Sequence, residues 1–339
     1  GRLRQFFQTE SDVLVLTGSG TGGLEAALVN VLSPGDRVLS ASIGAFGDRF
    51  ADIAEAFGAR VERFTTEWGK AVDPEALRAR LAEDKERTIR AVLLTHNETS
   101  TGVTNDIRAL AEVVRAHGAL VLVDSISGLL AADLQTDAWG LDVVVAGSQK
   151  AFMIPPGLAF VAVGERAWKA HEQARMPRYY FDFTAQRKYM LRDQTPYTPA
   201  VSLLYALQAT LRMIREEGLE ASFARHARLA AAVRAGATAL KLRLLADPPH
   251  ASNSVTAIWS PDGIDPKALR ARIRQEYNVT LAGGQGKLEP SIFRVGHLGY
   301  VCEHDVLVVL SALERGLASM GYPVENGVAV AAAQRVFQE

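Results

Sequence analysis

The sequence predicts an α/β fold with a mostly parallel sheet flanked by helices, followed by a smaller C-terminal α+β domain. Two short apolar runs, residues 120–123 and 143–146, have the character of buried parallel strands. Strand-like and helix-like segments alternate through the first half of the chain, which is typical of a parallel sheet with helices on both faces. After about Gly218 the order becomes helix, strand, helix, strand, strand, helix. We therefore expect a large domain over residues 1–218 and a small domain over residues 219–339.

The elements of the large domain follow from apolar spacing and from turn residues. Strands are predicted at residues 13–16, 38–40, 61–64, 91–95, 120–123, 143–146 and 156–164, the last with a pattern that also suits an antiparallel direction. Helices are predicted at residues 3–7, after Gly23, and at 50–57, 74–82, 107–117 and 201–214. Asp73 is the expected N-cap of the helix that begins at Pro74.

The small domain is predicted from the same signals. Helices are expected at residues 219–240, 266–275 and 303–320, with strands at 254–259, 279–281 and 292–295. Residues 328–333 form part of a terminal amphipathic helix. Between the two domains, residues 175–199 have little periodicity and several aromatic side chains. This stretch is too long for a plain connector, so we expect it at a functional site or an interface.

The composition is that of an ordinary globular protein, with 48% hydrophobic and 22% charged residues. The formal net charge of -1 gives no indication of a nucleic acid or an anionic membrane as a partner. No apolar run reaches the ~20 residues that span a bilayer. Cys302 is the only cysteine, which excludes an intrachain disulfide and a cysteine metal cluster. A cytoplasmic protein without a metal site is therefore expected.

A glycine-rich loop, TGSGTGG at residues 17–23, follows the first strand and opens a helix. Backbone N–H groups and the helix dipole make such a loop an anion site. Gly18, Gly20 and Gly23 also satisfy the G-x-G-x-x-G pattern of dinucleotide folds. That site requires an acidic residue at the end of the next strand, and the strand at 38–40 leads into ASIG without one. We therefore interpret the loop as a site for a single phosphate group.

Polar residues follow the two buried strands of the centre: Asp124 comes directly after the first, and Lys150 follows the second. Ligands of open α/β sheets collect at the carboxyl ends of the strands. An amine forms a Schiff base with an aldehyde and a carboxylate keeps a pyridinium nitrogen protonated, as pyridoxal 5'-phosphate (PLP) chemistry requires. Each residue alone has a simpler explanation, as a turn or N-cap aspartate or as a solvated surface lysine. Together with the phosphate loop, the pair favours a PLP site.

With these residues and Arg294 identified, the chain resembles the class V aminotransferases of PLP fold type I. Within them it is most similar to the alanine/serine–glyoxylate (serine–pyruvate) branch. The resemblance covers nearly the whole chain and is carried by LTGSGTGGLEAAL, THNETSTGV, VDSISGL, GSQKAFMIPPGL, TPYTPAVSLLYAL and FRVGHLG, in the family's order. Asp124 and Lys150 are 26 positions apart, as in this branch. The resemblance implies a ping-pong aminotransferase that moves an amino group from alanine or serine to a 2-oxo acid such as glyoxylate or pyruvate.

The resemblance also implies roles for individual residues. Lys150 would form the Schiff base with PLP and move the substrate's α-proton, and Asp124 would hold the pyridinium N–H. Phe46 would stack on one face of the ring, where the family often has Trp, and Ile126 would cover the other face. Thr99 would contact the ring on the side of its 3'-oxygen.

Phosphate binding is expected from both subunits of a homodimer. In this chain the residues that match the family's phosphate site are Ser19, Gly20, Thr21 and Gln149. In the family, the neighbouring subunit contributes from the position of Thr198 and from the residue three earlier. That earlier residue is often Tyr and is Thr195 here, which leaves its part in phosphate binding open. We therefore expect a homodimer with a shared active site.

Arg294 matches the family arginine that clamps the substrate's α-carboxylate in a bidentate pair. A single arginine on a strand is by default a surface residue. The flanking Phe293 and Val295 favour a partly buried strand, where an unpaired guanidinium would be costly. No second arginine stands out beside Arg294 for the distal carboxylate of aspartate, which favours a small donor. An aspartate-type aminotransferase stays open, because a neighbouring subunit could supply that cation.

Three functions of other classes are alternatives. A cysteine desulfurase or lyase of the same fold needs a mobile nucleophilic cysteine facing the cofactor, and Cys302 lies in a loop beyond Arg294. A nicotinamide-dependent dehydrogenase would use the glycine-rich loop. A catalytically idle assembly subunit would not need Asp124, Lys150 and Arg294 together. The placement of Cys302, the missing acid after the strand at 38–40 and the presence of Asp124, Lys150 and Arg294 favour the aminotransferase.

Overall fold

The structure of the protein is a computed structural model that describes residues 2–338. The strands are β1 (Asp12–Thr17), β2 (Arg37–Ser42), β3 (Arg60–Thr65), β4 (Ile89–Thr95), β5 (Asn97–Glu98), β6 (Val103–Thr104), β7 (Leu120–Asp124), β8 (Val143–Gly147), β9 (Leu158–Val163), β10 (Val255–Trp259), β11 (Ala282–Gly283) and β12 (Ile292–Gly296). The helices are α1 (Arg2–Phe7), α2 (Gly20–Val31), α3 (Ala45–Ala56), α4 (Pro74–Ala82), α5 (Ile107–His117), α6 (Glu165–Gln173), α7 (Phe183–Met190), α8 (Val201–Glu217), α9 (Leu219–Ala239), α10 (Pro266–Tyr277), α11 (Glu303–Ser319) and α12 (Val328–Gln338).

Seven strands form the main sheet in the order β1-β9-β8-β7-β4-β2-β3. Neighbouring strands run parallel except around β9, which is antiparallel to both β1 and β8. This confirms the predicted mostly parallel sheet. Because β2, β4, β7 and β8 run in one direction, their carboxyl ends and the loops that follow lie at one edge of the sheet.

Side chains of the main sheet alternate between two apolar layers, one on each face, as the pleat requires. Val121 and Val123 of β7 belong to one core, while Leu120 and Leu122 belong to the other. Helices α4 and α5 pack on the first face, and α2 and α3 pack on the second. Every residue of β7 is buried, which explains why its sequence is continuously apolar up to Asp124.

Local sequence signals set several helix ends. The Asp73 side chain accepts a hydrogen bond from Glu75 N at 3.0 Å, which confirms the predicted N-cap of α4. Asp106 caps α5 in the same way through Ala109 N. Helix α5 ends at Gly118, whose φ of 99° lies in the left-handed region that favours glycine.

The C-terminal part of the chain has its own antiparallel sheet of order β10-β12-β11, here called the small sheet. Its apolar core is shared with α9, α10, α11 and α12. The predicted strand at 279–281 is wrong. Asn278 ends α10 in the left-handed conformation (φ 52°), and the ladder with β12 begins only at Ala282. The domain boundary at residue 218 stays a prediction.

Three further elements differ from the sequence prediction. Helix α3 begins at Ala45, five residues before the predicted start, and α6 was not predicted. Residues 175–199 contain the short helix α7, capped by Asp182 through Ala185 N at 2.8 Å. Within residues 2–338, each helix is too short or too polar to cross a membrane.

Candidate active site

A cavity of about 100 Å³ lies where the carboxyl ends of β7 and β8 meet the N-termini of α2 and α3. Nine of the eleven residues predicted to contact the cofactor line it. The lining residues are Ser19, Gly20, Thr21, Leu24, Phe46, Arg49, Asn97, Thr99, Asp124, Ile126, Ser127, Gln149 and Lys150. The structure therefore brings together residues that are up to 131 positions apart, from Ser19 to Lys150. Their individual roles stay predictions.

The loop between β1 and α2 presents the helix N-terminus to this cavity. Ser19 occupies the N-cap position, yet its side chain makes no capping hydrogen bond, and the first turn of α2 contains no acidic residue. Backbone N–H groups at such an end are available to an anion. A Cβ at position 20 would lie 2.5 Å from Ile126 Cδ1, so any other residue there would displace the Ile126 side chain. The backbone can therefore approach the cavity more closely than a substituted residue would allow.

Strand order decides against a dinucleotide at this loop. In a dinucleotide fold the strand that follows the glycine-rich helix lies beside the first strand, so its terminal acid can reach the ribose. Here β1 is an edge strand whose only neighbour in the described sheet is β9, and β2 lies far across the sheet, between β4 and β3. Its carboxyl end is Ser42, which accords with the missing acid in the sequence.

Asp124 closes β7 and is only 3% exposed. Its Oδ1 accepts a hydrogen bond from Ile126 N at 2.9 Å, and it has no ion-pair partner among the residues described. Burial raises the pKa of Asp124 to about 7, while Lys150 and Arg49 act in the opposite direction. The carboxyl group is thus buried at the end of a strand with few partners from its own chain.

Lys150 lies in the turn that follows β8. That turn is closed by Ser148, whose Oγ donates to Pro155 O at 2.8 Å and accepts from Leu158 N at 3.2 Å. The Lys150 amine has no hydrogen-bond or ion-pair partner in the part of the chain that the structure describes. Burial lowers the pKa of Lys150, Asp124 raises it, and the nearby Arg294 lowers it further. An unpaired amine with a lowered pKa is suited to nucleophilic and proton-transfer chemistry.

Arg294 lies on β12 of the small sheet and is 6% exposed. Its Nε donates to Gly283 O at 2.7 Å, and its Nη1 donates to Thr99 O, also at 2.7 Å. No carboxylate of residues 2–338 forms an ion pair with it. Burial lowers the pKa of the guanidinium, which Glu98 partly offsets. The bond to Thr99 O places this cation against a residue that lines the cavity.

Thr195 and Thr198 are not brought to the cavity by their own chain. Thr195 donates to Tyr197 O at 2.6 Å and lines a separate groove of about 810 Å³ beside the edge strand β1. Thr198 is exposed. This placement accords with the expectation that these positions would serve a neighbouring subunit, a prediction that the single chain does not test.

Sequence reasoning missed four lining residues: Leu24, Arg49, Asn97 and Ser127. Arg49 is three residues after Phe46 on α3, and its guanidinium carbon lies 4.9 Å from the Phe46 ring centroid. The sequence prediction began this helix only at residue 50, so the helical spacing of Phe46 and Arg49 gave no signal. Asn97 Nδ2 donates to Ser127 Oγ at 2.9 Å and to Ser254 Oγ at 2.8 Å. The partner at Ser254 is 157 positions away, so no local pattern could reveal it.

The chain as a whole matches the sequence pattern of a known family. The sequence pattern of the family described as aminotransferase class-V matches residues 2–302. The chain belongs to this family. A soluble hydrogenase 42 kDa subunit of Anabaena cylindrica is 47% identical over 99% of this chain and 88% of that protein. L-aspartate–glyoxylate aminotransferase of Paracoccus denitrificans is 40% identical over 98% of this chain and 84% of its own length.

Two further relatives agree with this assignment. Serine–glyoxylate aminotransferase of Arabidopsis thaliana is 40% identical over 99% of this chain and 85% of its own length. The crystal structure of ureidoglycine-glyoxylate aminotransferase from Bacillus subtilis is similar with a TM-score of 0.95 and 33% identity, covering 100% of this chain and 88% of that one. The predicted family and the predicted PLP fold type I architecture are confirmed.

Proposed function

We propose that this class-V aminotransferase uses PLP to move an amino group from alanine or serine to a 2-oxo acid such as glyoxylate or pyruvate. One observation carries the proposal. Asp124 and Lys150 follow two adjacent parallel strands and line one cavity with the N-terminus of α2, and the Lys150 amine has no partner among the described residues. An anion site, a buried carboxylate and an unpaired amine fit the phosphate, the ring nitrogen and the aldehyde of PLP.

When bound, PLP supplies an aldehyde that accepts the amino group and a ring that withdraws electrons from the substrate's α-carbon. Lys150 would hold the aldehyde covalently and would carry the proton that leaves and returns at the α-carbon. Its lowered pKa supports this, because a larger share of the amine is then neutral and able to accept a proton.

The other cavity residues would bind and orient the cofactor. Asp124 would accept a hydrogen bond from the protonated ring nitrogen, which would satisfy a carboxylate whose single donor among residues 2–338 is Ile126 N. Phe46 and Ile126 both line the cavity and would enclose the ring, with Thr99 at its edge. The phosphate would lie at the start of α2, against Ser19, Gly20, Thr21 and Gln149.

Arg294 would bind the substrate's α-carboxylate. Two backbone carbonyls orient its Nε and Nη1, which leaves its remaining N–H groups for a ligand. A guanidinium that is 6% exposed and lacks a carboxylate among the described residues is costly unless an anion neutralises it. A substrate carboxylate would supply that charge.

We further propose a homodimer whose second subunit contributes Thr198 and Thr195 to the phosphate site. Large apolar and aromatic side chains in and beside the stretch that contains these threonines are exposed, as expected of a surface that a partner covers: Tyr179 is 80%, Leu191 75% and Tyr205 71% exposed. Sedimentation at micromolar concentration tests this proposal. Twice the mass of the chain is expected, and a monomer would contradict a shared site. The cytoplasmic location stays a prediction.

The hydrogenase name belongs to the Anabaena relative, and the cavity gives no specific support for that activity. Iron–sulfur clusters are held by several cysteine thiolates, whereas the chain has Cys302 alone. Cys302 is exposed at the start of α11 and does not line the cavity. The same placement disfavours the cysteine desulfurase alternative. In residues 2–338 no cluster of three His, Cys, Asp or Glu side chains could hold a metal ion.

A half-reaction screen tests the proposed function. PLP-loaded protein is mixed with one amino acid at a time, and absorbance follows conversion of the cofactor from its aldehyde to its amine form. Alanine or serine should convert it, and the Lys150→Ala variant should not. A faster conversion by aspartate would replace the proposed donor class with the aspartate type. If no amino acid converts a bound cofactor, the aminotransferase proposal for this site is wrong.

A further inference from the structure

Glu98 is a fully buried carboxylate without a cationic partner in the described chain. It lies on β5, is 0% exposed and does not line the cavity. Its negative charge raises the pKa of both Asp124, which it repels, and Arg294, which it attracts. Burial raises the pKa of Glu98, and hydrogen bonds from neighbouring groups oppose that rise. A buried carboxylate persists only where several donors satisfy it.

Those donors are two amides of the first turn of α3, together with the amide and hydroxyl of Ser100. Phe46 N donates to Glu98 Oε2 at 3.1 Å and Gly47 N donates to the same oxygen at 3.0 Å. Ser100 donates to Oε1 through both its N at 2.9 Å and its Oγ at 2.6 Å. The Ser100 Oγ in turn accepts from Ala45 N at 3.0 Å. Glu98 and Ser100 together satisfy the first three N–H groups of the helix.

The residue at the N-cap of α3 cannot perform this task itself. Gly44 occupies that position and has no side chain to accept a hydrogen bond. Its φ of 170° is ordinary extended backbone, so conformation does not require glycine there. The steric environment requires glycine instead, because a Cβ on Gly44 would lie 2.4 Å from Glu98 Cγ and from Ser100 Oγ. The close approach of the carboxylate to the helix excludes a local cap.

The capped turn carries side chains of the active site. Phe46 is in the first turn of α3 and Arg49 follows it by three residues, and both line the cavity. The residues beside Glu98 are also fixed. Asn97 Nδ2 donates to Ser254 Oγ, and Thr99 O accepts from Arg294 Nη1. One short segment therefore connects the helix that bears Phe46 with the strand that bears Arg294.

We propose that Glu98 is a positioning residue that holds the first turn of α3 in place, so that Phe46 packs against the ring of the bound cofactor. The proposal extends the function given above, because it assumes that PLP occupies the cavity. Glu98 acts through Phe46 and has no contact with the reacting atoms. Its loss should therefore affect cofactor binding and the environment of the ring more than the covalent attachment at Lys150.

Glu98→Gln tests the proposal, because the amide keeps the size of the side chain and loses one of its two acceptor oxygens. The chain offers a matched control. Glu314 is 5% exposed, and its carboxylate accepts from Gly327 N at 3.1 Å and Ala329 N at 2.5 Å, at the start of α12. It is a second buried glutamate that caps a helix from another element, and it does not line the cavity. Glu314→Gln repeats the chemical change away from the site.

Three measurements on the full chain distinguish a positioning role of Glu98 from a general loss of structural stability. They are amide hydrogen exchange, the dissociation constant of PLP, and the visible circular dichroism of bound PLP. In Glu98→Gln, exchange at residues 45–47 should accelerate, PLP should bind about tenfold more weakly, and the dichroism band should change. In Glu314→Gln, exchange at 327–329 should accelerate while the dissociation constant and the band stay as in the unmodified protein. Phe46→Leu should reproduce the weaker binding and the altered band without faster exchange at 45–47.

Two results would overturn the proposal: faster exchange in Glu98→Gln with unchanged binding and dichroism, or equal weakening of binding by Glu314→Gln. Should Glu98→Gln fail to fold, Ser100→Ala removes the acceptor of Ala45 N and is measured in the same way. If the unmodified protein binds no PLP, the proposed function fails. Hydrogen exchange still decides whether Glu98 caps α3.

Discussion

Two buried carboxylates far from the cavity, Asp84 and Asp142, receive hydrogen bonds and a counter-charge from their own chain, whereas within residues 2–338 the charged groups at the cavity do not. Asp84 is 8% exposed and accepts hydrogen bonds from Thr88 Oγ1 and Ile89 N, both at 2.8 Å, and from Arg37 at 3.1 Å. Asp142 is 4% exposed and accepts from Val121 N at 2.8 Å, with Arg166 at 3.3 Å. The chain itself supplies the donors and the counter-charge at both sites.

The proposed catalytic and substrate-binding charges at and beside the cavity lack such partners among the described residues. Asp124 has one backbone donor, Lys150 has no partner, and Arg294 has backbone carbonyls but no anion. A protein that only had to be stable would pair these groups or replace them with apolar side chains. This difference is expected of groups that bind a charged ligand, and it supports the proposed site.

The largest effect is expected at Lys150. Lys150→Ala removes the proposed attachment point and proton carrier, so transamination should fall by at least about 10³-fold. Because the amine has no partner in the described chain, the free energy of unfolding of the cofactor-free protein should hardly change. Steady-state kinetics and thermal unfolding measure both. Lys169→Ala, which breaks an exposed pair with Glu165, is the control and should alter neither. A partly active Lys150→Ala enzyme would contradict the assignment.

Asp124→Asn should change activity and stability in opposite directions. Activity should fall by about 100-fold, because the ring nitrogen would lose its anionic partner. The pKa of the carboxyl group rises from 3.8 to about 7 on folding, so ionisation works against the folded state. This cost is absent below pH 3.8, grows as the pH rises to about 7, and is complete above that.

The cofactor-free Asp124→Asn protein should therefore be more stable than the unmodified protein at pH 8, on the order of 2 kcal/mol, and equally stable near pH 4. Denaturant unfolding across this range, without PLP, measures the difference. A variant that is less stable than the unmodified protein at pH 8 would show that Asp124 is paired by its own chain, like Asp84.

Arg294→Lys should have an intermediate effect that is confined to the substrate. Lysine keeps the charge but cannot form the bidentate pair, so kcat/KM for the amino donor should fall by about 10- to 100-fold, mainly through KM. The dissociation constant of PLP should stay unchanged. Arg272→Lys alters an exposed arginine that donates to Ser319 O, and it serves as the control. An unchanged KM in Arg294→Lys would place the substrate's carboxylate elsewhere.

The smallest kinetic effect is expected at Asp84, although this residue is also buried and charged. Asp84→Asn should lower the free energy of unfolding by about 1–3 kcal/mol, because it weakens the bonds to Arg37, Thr88 and Ile89 N. The pKa of Asp84 is lowered in the folded protein by these hydrogen bonds and by Arg37, despite burial. The stabilisation that ionised Asp84 gives to the folded protein is thus fully present above the ordinary carboxyl pKa. It is lost as the pH falls through the pKa of Asp84 in the folded protein. The kcat of the variant should equal that of the unmodified protein.

The fold was largely predictable because its signals are local. Buried parallel strands are continuously apolar, and Asp73 is visible as the N-cap of α4 before its partner Glu75 N is known. The start of helix α3 was predicted five residues too late because its capping signal is not local. Its cap is Glu98, more than fifty positions away, and nothing near Gly44 indicates it.

The site likewise contains residues that have a local sequence signal and contacts that have none. The acid, the amine and the glycine-rich loop follow strands that the sequence marks clearly, so residues 19–21, Asp124 and Lys150 could be predicted together. The links from Asn97 to Ser254 and from Thr99 O to Arg294 could not, because they depend on how the small sheet packs against the main sheet. Long-range packing of this kind leaves no periodic pattern in the sequence.

Chemical trapping tests the proposed attachment of PLP most directly. Protein loaded with PLP is reduced with borohydride and digested, and mass spectrometry locates the phosphopyridoxyl group. A single modified residue at Lys150 is expected, together with no trapping in Lys150→Ala. A phosphopyridoxyl group on any other lysine would contradict the proposed site. So would the absence of a modified lysine after reduction of protein that is coloured by bound PLP.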